Sequence, residues 1–297
     1  MLKLRFLIIC FFLLQNLSVH PNSYNSFSNY KSNESKKRNL IIIQSSLYAS
    51  ALINLNQLWY KNYPKSSFHF INDNKSWLQM DKLGHLNTSY YIGVLGIKSY
   101  KLAGFSEHQS IWLGGMSGTF MNSAIEILDG FSNEWGASSG DLLANSLGSF
   151  LAISQALHWS EQKFMIKYSF KPSDISNSNT DLFGDSFIQK TLKDYNGQNY
   201  WLTFNINNVF KTDFKLFPSW LNLALGHGAN NMYSENNSIN NQKKYRQFLI
   251  SLDINTNKLN ISNKYLRSFL DLFGFIKIPM PTLEISNGNV KFHNFYF

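Results

Sequence analysis

The chain has 297 residues, enough for one large domain or two modest ones. Charged residues make up only 15% and aromatics 16%, which excludes an intrinsically disordered chain, since that state needs high charge and few aromatics. The formal charge of +9 comes from scattered basic residues, and the clusters Lys36-Lys37-Arg38 and Lys243-Lys244-Tyr245-Arg246 fit no helix-turn-helix, RNP or zinc-finger pattern. Nucleic acid is therefore not an expected partner. Lysines spread in this way serve solubility, or attraction to anionic lipid head groups. The single cysteine, Cys10, excludes an intramolecular disulfide, a cysteine-based zinc site and an iron–sulfur cluster.

The first residues have the shape of a secretory leader. Met1-Leu2-Lys3-Leu4-Arg5 is a short basic start, Phe6 to Leu14 is an unbroken apolar run, and polar residues then lead to Pro21. The run is short for a bilayer span. We read residues 1–20 as a signal peptide, with an uncleaved anchor as the alternative, and place the chain in the cell envelope. Cys10 lies inside the apolar run rather than after it, so it makes a poor lipobox cysteine. Residues 21–39 are Asn-, Ser- and Lys-rich without periodicity and predict a polar linker.

A helical period begins at Leu40 and runs to Tyr60, with Leu47, Ala51, Leu55 and Leu58 on one face. Further helices are predicted from Asp81 to about Gly104, from Ser110 to Leu128 and from Asp141 to about Trp159. The last two carry Gly114, Gly115, Gly118, Ala144, Ser146 and Gly148, small residues that let helix backbones approach closely. Helices apolar on nearly all sides are either central in a bundle or lie in a membrane, and their length leaves both open. Residues 171–199, punctuated by Pro172, Gly184 and Gly197, predict a second linker. Beyond it the period changes to two. Leu202, Phe204 and Ile206 alternate with Thr203 and Asn205, and Phe248, Ile250, Leu252 and Ile254 alternate with Leu249, Ser251 and Asp253. Leu283 and Ile285 then approach Asn287-Gly288, a strong two-residue hairpin signal, before Val290 to Phe297. The aromatic end resembles the last strand of an outer-membrane barrel, but four or five strands are too few to close one. The expected fold is α+β: a bundle of about four mostly apolar helices at 40–170, followed by a smaller β-rich region at 200–297.

The sharpest chemical feature is an asymmetry of charge. From Leu102 to Gln162 there is no Lys or Arg, yet Glu107, Glu126, Asp129, Glu134, Asp141 and Glu161 all fall there. A carboxylate within an apolar helix costs several kcal/mol unless it is paired, protonated or bound to a cation. Spacing offers partners. Asp81 and His85 are i,i+4 with Lys82 beside them; Asn122, Glu126 and Asp129 share a face; Asp141, Asn145 and Gly148 repeat that spacing. The loop between the last two sets returns the chain, so Asp81, Lys82, His85, Glu126, Asp129, Asp141 and Asn145 are expected to meet at one end of the helices. Each has a plainer explanation too. Ser138-Ser139-Gly140-Asp141 fits a capping box, Asp129 fits a surface acid at a helix end, and Lys82 can neutralise Asp81. The whole set also fits a buried polar network that fixes helix register.

These residues carry a resemblance. Asp81-Lys82-Leu83-Gly84-His85, Glu126-Ile127-Leu128-Asp129 and Ser138-Ser139-Gly140-Asp141, with Asn145 and Gly148, resemble the YfiM-type family of predicted periplasmic lipoproteins. They are similar, more distantly, to VanZ-like envelope proteins. The resemblance covers about residues 77 to 155 and brings no established activity. Leu86 stands where that family usually has an aromatic, and no lipobox supports lipid attachment.

Two classes of function follow as expectations. One is a non-enzymatic envelope protein whose partner is a membrane surface or another envelope protein. The other is a metal- or acid/base-dependent enzyme on a lipid-linked or peptidoglycan substrate. It would use Glu126 or Asp129 as base and His85 as acid, or hold a hard or borderline cation through His85, Glu126, Asp129 and Asp141. H-E-x-x-H does not occur, and the lack of Arg near these residues disfavours a phosphate substrate. A pocket that sequesters a cation or amine is a third possibility. No cofactor can be named from the residues.

Overall fold

The structure is a computed structural model, and it describes residues 34–60, 63–234 and 243–297. The expected signal peptide and most of the first linker lie outside the described residues. Two compact units are interleaved along the chain: residues 1–71, 88–158 and 260–272 form one, and residues 72–87, 159–259 and 273–297 the other.

The first unit is helical. Helix α1 is Glu34–Leu55. It starts earlier than the apolar period alone indicates, and Glu34 in its first turn pairs with Lys37 one turn on. Helix α2, Met80–Leu102, enters this unit at Thr88. A capped turn at Ser106 and a π-helical turn, Ser110–Gly114, lead into α3, Gly115–Gly130. Strand β1, Phe70–Ile71, pairs in parallel with β2, Ala137–Ser138, and α4 follows as Ser139–Trp159. Close approach of α2 to α3 depends on glycine, as the small residues implied. A Cβ on Gly118 would lie 2.1 Å from the Ser89 carbonyl oxygen, and one on Gly96 2.2 Å from that of Gly114.

The faces of α3 and α4 differ from the expectation of helices apolar all round. Asn122, Glu126, Asp141, Asn145, Ser149 and Gln155 are buried. Phe120, Ile127, Leu143, Leu147, Phe150 and Leu157 are each at least half exposed. Polar side chains line the inside because they bond one another there, and the apolar residues are left outside. Among the described residues no helix is long and apolar enough to cross a membrane.

The second unit is built on a six-stranded antiparallel sheet in sequential order. Its strands are β3 (Phe164–Phe170), β4 (Gln198–Phe204), β5 (Leu221–Asn230), β6 (Tyr245–Ile254), β7 (Met280–Ser286) and β8 (Asn289–Tyr296). Strand β3 falls within the stretch expected to be helical, because Phe164, Ile166, Tyr168 and Phe170 alternate with Met165, Lys167 and Ser169 at the period of a strand. Short helices between 174 and 193 occupy much of the expected second linker. The Asn287-Gly288 turn forms as expected: both residues have positive φ, 52° and 75°, and Ser286 pairs with Asn289 across it.

The sheet rolls on itself. The Tyr168 amide donates to the Phe275 carbonyl at 2.7 Å, and the Lys277 amide to the Tyr168 carbonyl at 2.8 Å. The segment leading into β7 therefore lies along the outer edge of β3. At the other end of the chain the Tyr296 ring meets Trp201 edge-on, and Asn199 donates to the Phe297 carbonyl. Inside the roll, buried Lys167 pairs with buried Asp253 at 2.6 Å.

Candidate functional site

The seven residues singled out by spacing divide between the units. Glu126, Asp129, Asp141 and Asn145 belong to the helical unit; Asp81, Lys82 and His85 belong to the sheet unit.

In the helical unit, the last turns of α3 and the start of α4 are tied by the carboxylates. Glu126 is 2% exposed, and its Oε2 accepts from the Ser138 amide at 2.9 Å. Ser138 Oγ in turn accepts from the Asp141 amide at 3.2 Å, the N-cap bond that S-x-x-D spacing implies. Asp129 Oδ1 accepts from the Tyr60 hydroxyl at 2.6 Å. Burial, then the charge of Asp129 and its hydrogen bond, and then the charge of Glu126, raise the Tyr60 pKa far above the ordinary phenol range. Tyr60 thus remains a proton donor to Asp129 at any physiological pH.

About one turn further into the unit, Ser89 is a junction. Its hydroxyl donates to Asn145 Oδ1 at 3.2 Å and accepts from Asn122 Nδ2 at 2.8 Å. Thr119 Oγ1 donates to the Asn145 carbonyl at 3.0 Å, and the Thr119 amide to Ser149 Oγ at the same distance. These are neutral donors and acceptors. Hydrogen bonds from an amide and a hydroxyl act on the two acids, consistent with a stretch that has no Lys or Arg.

In the sheet unit, Lys82 Nζ sits 2.6 Å from Asp73 Oδ2 and 3.6 Å from Asp81 Oδ2. Asp81 Oδ1 accepts from the Tyr195 hydroxyl at 2.6 Å and lies 3.9 Å from His85 Nε2. Asp81 and His85 therefore offer two adjacent ligand atoms from one helix face. Gly84 lets Tyr200 come close, since a Cβ there would be 2.9 Å from the Tyr200 hydroxyl. Burial, then Tyr168 and then Asp81, raise the Tyr200 pKa well above the phenol range. The turn before α2 is strained. Trp77, Leu78 and Gln79 all have positive φ. Arg246 holds it, donating to the Leu78 carbonyl at 2.7 Å and to Gln79 Oε1.

Spacing alone missed Asp73, Tyr60, Ser89 and Tyr195. Of these only Ser89 left a signal, as the next residue at intervals of four after Asp81 and His85. Tyr60 and Tyr195 reach acids 69 and 114 positions away, which no local pattern encodes.

Residues 68–156 match the model of a family described as predicted periplasmic lipoprotein, DUF2279. The match contains all seven residues and covers less than a third of the chain. Its description accords with the location read from the leader, which is the cell envelope, periplasmic or membrane-associated. Among curated proteins and among solved structures, nothing matches the chain.

Proposed function

We propose that this is an envelope protein with a structural or interaction role rather than an enzyme, and that its polar residues fix the register of the helices. The observation that carries the reading is the donor set. Glu126 and Asp129 are bonded by a backbone amide and a tyrosine hydroxyl, and Ser89, Asn122 and Asn145 form a neutral chain between helices. Such bonds make a network that specifies a packing. The order of the motifs supports placement among YfiM-type proteins, with VanZ-like proteins as more distant kin.

The test is metal analysis of the purified chain together with thermal unfolding of Glu126→Gln. A metal-free protein whose variant unfolds at lower temperature is the expected result. A stoichiometric metal that is lost in the variant would overturn the reading in favour of a metal site at His85, Glu126, Asp129 and Asp141.

One observation favours that second reading. Asp81, His85 and Ser89 lie on one face of α2, and Ser89 bonds Asn145, one helical turn from Asp141. The sequence spacings expect all seven residues to gather at one end of the helices, and the metal reading adopts that expectation. A double-mutant cycle between His85→Ala and Asp141→Asn measures this directly. Coupling above about 0.5 kcal/mol is expected, and additive effects would refute the gathering.

A further inference from the structure

The sheet is inside out for a protein surrounded by water. On β6 and β7 the buried polar side chains are Gln247, Ser251, Asp253, Thr282, Glu284 and Ser286, with Leu249 the one fully buried apolar residue among them. Beyond Arg246, which is bonded to the turn at Leu78 and Gln79, the β6 and β7 side chains pointing the other way are apolar and partly to largely exposed. Register places Leu225 opposite Ile250, Ile250 opposite Leu283, and Leu283 opposite Phe292. A second row runs from His227 through Phe248 and Ile285 to Val290. Phe248, Val290 and Phe292 are 56%, 64% and 65% exposed. The two rows form one continuous apolar face across four strands, without a Lys, Arg, Asp or Glu in either. Its single titratable member, His227, has its pKa lowered by burial and by Arg246, toward the neutral form.

A charged face turned inward and an uncharged face turned outward is the arrangement a hydrocarbon solvent selects. An apolar face this continuous is otherwise rare on a monomer. We infer that the outer face of β5–β8 lies in the hydrocarbon of an anionic envelope membrane. Strand length agrees: β5 and β6 have ten residues each, the length that crosses a bilayer core when tilted. Charge agrees as well. Exposed Lys243, which precedes β6, supplies a cation at head-group level, while Lys258 beyond the other end of the strand is paired with Glu161 at 2.9 Å. Six strands are fewer than membrane barrels use, so the sheet docks by this face and forms no pore. The helical unit shows the same inversion independently, with Phe120 and Leu143 outward and Glu126 and Asn145 inward.

The inference deepens the envelope reading and rests on it. Cytosolic recovery of the chain in cell fractionation would remove that reading while leaving the following vesicle result standing. The full chain with Cys10→Ser receives one cysteine at a time, Ile250→Cys, Phe292→Cys or, as control on an exposed polar helix, Ser178→Cys. Each is labelled with an environment-sensitive dye and mixed with phosphatidylethanolamine–phosphatidylglycerol vesicles carrying brominated acyl chains. Quenching of at least about twofold is expected at 250 and 292 and none at 178. Adding Ile250→Lys to the Phe292→Cys chain should cut that quenching severalfold while leaving the circular dichroism spectrum unchanged. Dyes at 250 and 292 that stay open to aqueous iodide with vesicles present would overturn the inference. So would dyes shielded without vesicles in a dimer, an outcome that assigns the face to a second copy of the chain.

Discussion

Lys277 departs from the ordinary chemistry of a lysine. It is 1% exposed, with its ammonium 4.4 Å from the centre of the Trp201 ring. Burial, partly opposed by Asp253 and reinforced by Lys167, lowers its pKa from the ordinary 10.5 to about 8. The unfolded lysine keeps its proton up to 10.5, so above about pH 8 the unfolded state binds more protons and stability rises with pH. The slope should approach 1.4 kcal/mol per pH unit. Denaturant unfolding between pH 8 and about 9.5 should show this rise, and Lys277→Met should abolish it. The range stops there because part-buried Tyr60 and buried Tyr200, with raised pKa values, act in the opposite sense once unfolded tyrosines ionise. Glu126 supplies a second prediction. Glu126→Ala removes the acceptor for the buried Ser138 amide and should cost about 3 kcal/mol in chemical denaturation, with α4 less protected in hydrogen exchange. That Glu126 would be buried and bonded was legible in the sequence, since a carboxylate one turn inside an apolar helix needs a partner. That the partner would be a backbone amide was not, because it depends on how the chain returns between α3 and α4.

At the scale of elements, the four long helices and the terminal hairpin were legible because each repeats its own period over many residues. Strands β3 and β5 were not picked out, although Leu221, Leu223 and Leu225 alternate with Asn222, Ala224 and Gly226. On both strands the large apolar side chains lie on the less buried face, the reverse of the usual cue. The reversed turn at Trp77-Leu78-Gln79 left no local sign either, since Arg246, far along the chain, secures it. The small residues of α3 and α4 were read for their size, and packing bears this out at Gly118. Gly118→Ala would drive a methyl into the Ser89 backbone and separate the helices, so a loss of roughly 1–3 kcal/mol is expected in thermal unfolding. Gly288→Val should weaken the β7–β8 hairpin for a different reason, because a β-branched residue is strained at a φ of 75°. Hydrogen exchange at β8 amides should speed up in that variant while α3 amides remain unchanged.

For the whole molecule, limited proteolysis of the full chain should nick within 171–199 or 234–241 before any site in 110–157. Early cleavage inside α3 or α4 would contradict the close-packed helical unit. Composition, the leader and the apolar periods by themselves determined an α+β chain of the envelope with acids set into helices. Those properties are local or additive, so they are written in order along the chain. Only the tertiary structure decided that the two units interleave, that neutral donors hold Glu126 and Asp129, and that the sheet turns its charged face inward. Each of these depends on contacts between residues tens of positions apart, and on which face of a strand or helix finds a partner. Period alone marks two faces as different; the surroundings decide which of them is buried.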